Sequence, residues 1–115
     1  MKIGITSVFV DDPVRAFHFY TEVLGFAKKT FIPEKWISIV VSSDDPQGTS
    51  LMLEPNHNAI AKRYQQALYK AGIPAIVFTA TDIKQEHERL QSLGVHFRKG
   101  PVKTKEGIEA LFEDG

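Results

Sequence analysis

The stretch VDDPVRAFHFYTEVLGF, Val10–Phe26, decides the fold because it contains a complete helix with both of its ends. Asp12 can accept hydrogen bonds from the free amides of a first turn, and Pro13 suits the first helical position, where its missing N–H is not needed. Gly25 can take the left-handed conformation that ends a helix. The stretch therefore predicts a helix with one apolar arc that lies on a sheet. That arc contains Ala16, Phe17, Phe19, Tyr20, Val23 and Leu24.

Strand patterns surround this helix and complete a βαβββ unit. The segment before it, KIGITSVFV, alternates between one face with Thr6 and Val8 and another with Ser7 and Phe9. A second predicted helix, over residues 58–71, stops at Gly72 and is interpreted as a connection. The strands predicted between the two helices are Phe26–Ile32, Lys35–Ser43 and Ser50–Pro55.

The same pattern restarts in the second half of the chain. Asp12 precedes the pair Leu24-Gly25, and Asp82 precedes Leu93-Gly94 at a spacing one residue shorter. IPAIVFTA is the predicted strand before the second helix, and VHFRKG and GIEALFEDG are the predicted strands after it. We therefore expect an α+β fold of two tandem βαβββ modules, residues 1–57 and 73–115, joined by a helix over 58–72. The last strand of the second module is missing from this pattern.

The composition excludes several classes of function. Fourteen Lys and Arg balance fourteen Asp and Glu, so no strong field exists to hold nucleic acid or an anionic membrane. The absence of cysteine excludes disulfides, thiolate nucleophiles and thiolate metal sites, and it fits a reducing compartment. No segment has the pattern of a signal peptide or a bilayer span. We expect one cytoplasmic domain that binds neither nucleic acid nor membrane.

Several motifs resemble the vicinal oxygen chelate superfamily, which contains glyoxalase I, bleomycin-resistance proteins and extradiol dioxygenases. They are VDD…FHFYTEVLGF, LMLEP, TATDI…ERLQSLGV and ALFEDG, and together they cover almost the whole chain. The resemblance implies one curved sheet from each module, paired into a cup that binds small organic ligands, often in a homodimer. Because the family continues past ALFEDG with a final strand, we expect residues 1–115 to belong to a longer protein.

The resemblance also implies positions for a divalent metal. Metal-dependent members hold the ion in the cup with side chains that are mostly His and Glu, half of them from each module. Such a site needs open positions where two adjacent substrate oxygens can chelate the ion. The family positions fall on Ile5, Glu54 and Ala75, and the remaining one lies after Gly115. Ile5 and Ala75 carry no donor atom, so we expect no metal and no other cofactor.

The four histidines provide few alternative metal ligands, since no HxH or HxxxH pair occurs. His18 is predicted to lie opposite the apolar arc of its helix, in solvent. His87 is predicted beside the apolar stripe of the second helix, with partial burial. His57 is interpreted as a loop residue near the mouth of the cup, and the facing of His96 stays open.

Strand alternation indicates which side chains face the cup. Glu54 is expected to face it, either as a carboxylate suited to general-base work or as a strand-end residue that is solvated or paired with Lys or Arg. Trp36 is the strongest stacking candidate, with a place in the core as the alternative. The expected lining suits an organic ligand of limited polarity. It comprises Ser7, Phe9, Trp36, Ser38, Val40, Met52, Val77 and Thr79.

Two functions from different classes follow. The first is a metal-independent protein that sequesters a small molecule in the manner of the bleomycin-resistance proteins, and it is favoured by Ile5 and Ala75. The second is a lyase, isomerase or dioxygenase, similar to lactoylglutathione lyase, that uses Glu54 as metal ligand or general base.

Overall fold

The computed structural model describes residues 1–114, and Gly115, the end of the last predicted strand, lies outside the described residues. The chain divides into two compact units, one over Met1–Ile76 and one from Val77 onward. None of the helices within residues 1–114 has the length and apolarity needed to cross a membrane.

The first unit is a four-stranded mixed sheet with two helices, as the sequence predicts. Strand order is β1-β4-β3-β2, in which β1 and β4 run parallel and the other neighbours run antiparallel. A π-helical turn, Phe19–Val23, continues α1, and a 3-10 turn, Pro33–Lys35, precedes β3. The elements are β1 Ile5–Val10, α1 Pro13–His18, β2 Ala27–Ile32, β3 Ile37–Val41, β4 Ser50–Pro55 and α2 Ala59–Ala71.

The helical segment made of α1 and the π-helical turn begins at Pro13 and stops before Gly25, as predicted, although α1 itself ends at His18. The Asp12 carboxylate accepts hydrogen bonds from the amides of Val14 and Arg15 at 3.1 and 3.2 Å, and Gly25 ends the segment at φ +88°. The π-helical turn is a feature that the sequence pattern did not predict. The Thr21 hydroxyl donates to the Phe17 carbonyl at 2.8 Å, so it competes with a backbone amide for that carbonyl where the helix widens.

The core of the first unit lies between α1 and one face of the sheet. Phe17 of α1 stacks on Phe31 of β2 with ring centroids 4.1 Å apart. Val40 and Leu53, on the two central strands, are fully buried beneath the helix. The apolar arc predicted for the helix therefore lies on the sheet, with Ala16, Phe17 and Tyr20 as its buried residues.

A polar cluster holds α2 against the ends of β1 and β4. The Asn56 amide nitrogen donates to Asp11 Oδ1 and to Gln65 Oε1, both at 2.7 Å, and Gln65 Nε2 donates to Asp11 Oδ1 at 3.3 Å. Asn56 is buried, so these bonds satisfy an amide that would otherwise be costly to bury.

The second unit contains α3, Ile83–Ser92, followed by an antiparallel pair of strands, β5 Phe97–Thr104 and β6 Gly107–Phe112. Asp82 caps α3 by accepting from the Gln85 amide at 3.1 Å. Leu90 and Val95 are its buried apolar residues.

The strand predicted over IPAIVFTA does not form, and residues 73–82 contain no strand. In the first unit, the equivalent strand β1 is held by parallel pairing with β4. Within residues 77–114, no strand takes the place of β4. A strand gains its stability from a hydrogen-bonded neighbour, so an apolar alternating segment without one stays irregular.

Candidate functional site

The sheet of the first unit has two faces of different character. Val40 and Leu53 pack under α1 and define the inner face. The residues that alternate with them define the opposite side, here called the outer face, because directly paired residues on neighbouring strands share a side of the sheet. Its members are Ile5, Ser7, Phe9, Ala27, Thr30, Ile32, Ile37, Ile39, Val41, Ser50, Met52 and Glu54.

Four of the predicted site residues lie together on the outer face. Ser7 of β1 is opposite Met52 of β4, and Phe9 is opposite Glu54 two residues further along the same strands. Ser7 is exposed, and Phe9, Met52 and Glu54 are half-buried. On the other side of β4, Met52 is opposite Ile39 of β3. These pairs form a largely apolar surface across the three strands.

The prediction that Ser38 and Val40 line this surface is wrong. Both residues are fully buried, Val40 belongs to the core under α1, and Ser38 is opposite Phe31, which stacks on the helix. The outer positions of β3 are Ile37, Ile39 and Val41. Both sets of alternating residues in KWISIVVSS are apolar or hydroxyl-bearing, so the pattern could not choose between the two phases, and a slip of one residue exchanges the faces.

Val77 and Thr79 are also not placed as predicted. Both lie in the second unit within the segment that contains no strand, where Val77 is 85% exposed and Thr79 is exposed. The alternation that assigned them to a common face requires strand geometry. Since that geometry is absent here, alternation assigns neither side chain to a face.

Trp36 and His57 form an aromatic pair at one end of the first sheet. Trp36 precedes β3 in the left-handed conformation, at φ +59°, and its amide donates to the Pro33 carbonyl at 3.1 Å. Its indole meets the His57 ring edge to face, with centroids 4.7 Å apart. Trp36 is 50% exposed, so it is not in the core. Because it lies before β3, it is also not on the alternating face of a strand.

Glu54 lies at the same end of the sheet as this aromatic pair. The register of β3 and β4 places Ile37, the residue after Trp36, on the outer face beside the end of β4 that contains Glu54. Glu54 is the only ionisable member of the outer face, and within residues 1–114 its carboxylate forms no ion pair or hydrogen bond. Of the alternative in which Glu54 is solvated or paired with a Lys or Arg, the pairing is therefore wrong for this part of the chain, and solvation of the half-buried carboxylate stays open.

The donor atoms do not fit the divalent-metal site that the family resemblance implies. Ile5 is opposite Ser50, whereas Glu54 is opposite Phe9, four residues further along the strand. Four residues of a strand span about 13 Å, so these two family positions do not converge on one ion. Ala75 lies in irregular backbone, and no group of three or more His, Asp or Glu within residues 1–114 could hold a metal.

The other three histidines are not residues of the first sheet: His18 is on α1, and His87 and His96 belong to the second unit. His18 is exposed on α1 and its Nδ1 lies 3.4 Å from Glu22 Oε1. His87 is half-buried in the second unit, edge to face with Phe97 at 4.4 Å. His96 is exposed.

Comparison with known proteins tests the resemblance drawn from the motifs. The sequence model of the Glyoxalase/Bleomycin resistance protein/Dioxygenase superfamily matches residues 2–114. The uncharacterized protein YurT of Bacillus subtilis (strain 168) is 46% identical over 117 residues, covering 99% of this chain and 91% of YurT. These matches confirm the resemblance.

Solved structures show the same fold. UcmS2 has a TM-score of 0.81 at 27% identity, covering 98% of this chain and 90% of UcmS2. TnmS3, an antibiotic binding protein from Streptomyces sp. CB03234, has a TM-score of 0.76 at 25% identity, covering 99% of this chain and 87% of TnmS3. The α+β fold class predicted from the sequence is confirmed.

Proposed function

The chain belongs to the Glyoxalase/Bleomycin resistance protein/Dioxygenase superfamily, and we propose that it binds a small organic molecule on the outer face of its first sheet without a metal ion. The observation that supports this most directly is the surface formed by Phe9, Ile39 and Met52, which are half-buried neighbours on adjacent strands. Ligand sites are mostly apolar with a few polar groups, and this face has Ser7, Thr30 and Glu54 in that role.

Two further observations support binding without a metal and without chemical conversion of the ligand. Ile5 offers no donor atom at the family's metal position, and the strand register keeps Glu54 about 13 Å from it. The relative TnmS3, which is an antibiotic binding protein, favours sequestration of an intact ligand over its conversion. Because the apolar face extends across three neighbouring strands, the ligand class that we propose is a planar or polycyclic molecule of limited polarity.

Calorimetric titration of the protein with a panel of polycyclic aromatic natural products tests this function. We expect saturable binding that is unchanged after treatment with a chelator. Met52→Glu should weaken it about tenfold or more, because it would bury a second carboxylate in an apolar surface. Gln47→Glu is the matched control, since it adds the same charge in the exposed turn between β3 and β4. Equal affinities for the two variants would contradict the assignment to the outer face.

An enzymatic function is the second candidate, and the absence of a partner for Glu54 favours it. A carboxylate that faces a bound molecule and makes no bond within residues 1–114 is free to take a proton from that molecule. Mass spectrometry of ligands recovered after prolonged incubation separates the two functions. Unchanged ligand supports sequestration, whereas conversion that stops in Glu54→Gln would make the protein a metal-independent lyase or isomerase.

The homodimer and the cytoplasmic location are part of the same proposal. Strand β1 is an edge of the first sheet with Ile5, Thr6 and Ser7 exposed, and such an edge favours pairing with another chain. Analytical ultracentrifugation that finds only the 12.9 kDa species would contradict the dimer.

A further inference from the structure

We propose that the end of the outer face at Glu54 recognises a cationic nitrogen of the ligand, so that the preferred ligands are planar apolar molecules with a protonated amine or a quaternary ammonium group. This inference rests on the proposed function and adds the charge of the ligand to it. Two structural features at the same end of the first sheet support it: Glu54 and the aromatic pair of Trp36 and His57.

The first feature is an apolar surface with a single carboxylate. Glu54 is half-buried, lies opposite Phe9, and makes no hydrogen bond or ion pair within residues 1–114. A neutral apolar ligand that covered this face would remove water from the carboxylate and put nothing in its place, which is costly. A ligand cation would replace the lost water with a charge-assisted hydrogen bond. The face therefore discriminates by charge as well as by shape.

The second feature is the half-exposed indole of Trp36 at the same end of the sheet. Cations are attracted to the face of an indole ring more strongly than to other aromatic side chains. Trp36 is held in place by the bond from its amide to the Pro33 carbonyl and by the edge contact with His57, while half of its surface stays accessible. Since β3 begins at the next residue and runs beside β4, the indole and the carboxylate lie at the same end of the sheet.

The fixed backbone at Trp36 gives this arrangement its specificity. A left-handed conformation is uncommon for a residue other than glycine, and at φ +59° it turns the chain sharply between the 3-10 turn and β3. The indole is thereby positioned before any ligand binds, so less conformational entropy is lost on binding. Trp36 is a positioning and contact residue for the cation in this proposal.

Three probes with the same ring system and different charge test the inference by calorimetry: naphthylmethylammonium, naphthylmethanol and naphthoate. For the unmodified protein we expect the ammonium probe to bind about tenfold more tightly than the alcohol, from one charge-assisted contact, and naphthoate to bind most weakly. Glu54→Gln should abolish the preference for the ammonium probe: the ammonium probe should bind more weakly, and the alcohol at least as tightly as before, because a neutral amide costs less to desolvate than a carboxylate. Trp36→Leu, which keeps an apolar side chain, should weaken the ammonium probe more than the alcohol.

Glu34→Gln is the matched control, because it removes one negative charge from the exposed 3-10 turn two residues before Trp36 without altering the outer face. It should keep the full preference for the ammonium probe. A preference lost in Glu34→Gln as well as in Glu54→Gln would overturn the inference in favour of a general field. Thermal unfolding by circular dichroism checks that each variant is folded.

The outcomes separate this inference from the proposed function. If all three probes bind equally, the outer face still binds small molecules and only the role of Glu54 in charge selection is wrong. If neither the probes nor the polycyclic panel binds, both proposals are wrong. Because the comparison of probes uses the unmodified protein, it decides the inference even when a variant fails to fold.

Discussion

The two halves of the chain carry the same sequence pattern, and the structure completes it in only one of them. Asp12 and Asp82 cap their helices with nearly equal backbone angles, at φ −136° and −134°, and Gly25 and Gly94 follow at φ +88° and +87°. The strand before the cap forms in the first unit as β1, whereas residues 73–82 contain no strand. Helix ends repeat because they depend on a few neighbouring residues; strands repeat only where a partner is present.

The two units also differ in how much apolar surface they bury. The first has a continuous core of Val10, Phe17, Tyr20, Val40 and Leu53 between α1 and four strands. The second packs α3 against two strands and buries only Leu90 and Val95 among its described apolar side chains. Stability follows buried apolar area, so we expect the first unit to be the more stable of the two.

Amide hydrogen exchange should show the largest difference between the halves. The amides of β1 that bond to β4 should exchange at least about a thousandfold more slowly than those of residues 75–80, a difference of about 4 kcal/mol in opening free energy. Mass spectrometry of peptides from exchanged protein measures both segments in one sample. Equal protection would mean that residues 75–80 are paired in solution, which would remove the contrast.

Truncation of a buried leucine should have the next largest effect. Leu53→Ala should lower the free energy of unfolding by about 3 kcal/mol, because Leu53 is fully buried at the centre of the first core. Leu90→Ala in the second unit should cost about 2 kcal/mol, since a helix on two strands can close around the lost volume more easily. Urea denaturation measures both.

Leu93→Ala provides the control for these substitutions, because Leu93 is 51% exposed and its truncation should change stability by less than about 0.5 kcal/mol. A larger cost for Leu90→Ala than for Leu53→Ala would reverse the proposed order of the two units.

The helix caps should show the smallest difference, since they are the feature that the halves share. Asp12→Ala and Asp82→Ala should each cost about 1 kcal/mol of stability. Asp12→Ala should cost slightly more stability than Asp82→Ala, because the Asp12 carboxylate accepts hydrogen bonds from two amides and the Asp82 carboxylate from one. The Asn variant at each position should restore most of the loss, as Asn is an equally good cap. Thermal unfolding of the four variants tests this, and a failure of Asn to rescue would assign the loss to something other than capping.

The fold was largely predictable from the sequence, and the candidate site was predictable only in part. Ser7, Phe9, Met52 and Glu54 lie on one face because β1 and β4 both form at the expected residues and pair directly, Ser7 with Met52 and Phe9 with Glu54. In the segment around Ser38, one alternating set is Ile37, Ile39 and Val41, and the other is Trp36, Ser38 and Val40. Both sets contain apolar residues. The phase of this segment could not be read from the pattern, so Ile37 and Ile39 were missed.

The sequence by itself determined what depends on short-range physics. A carboxylate at a cap, a proline at the first helical position and a glycine that accepts positive φ all act within a few residues. Such signals set the ends of the helical segments that follow Asp12 and Asp82. The order of elements in the first unit and the family followed from these signals and their spacing.

Only the tertiary structure decided which residues meet. The parallel register of β1 and β4 separates Ile5 from Glu54, and the left-handed turn at Trp36 brings the indole to His57. The cover of α1 determines that Ser38 is buried and Ile39 is not part of the core. These outcomes depend on contacts between segments far apart in the chain, where a side chain's environment is set by the neighbour that packs on it and not by its own sequence context.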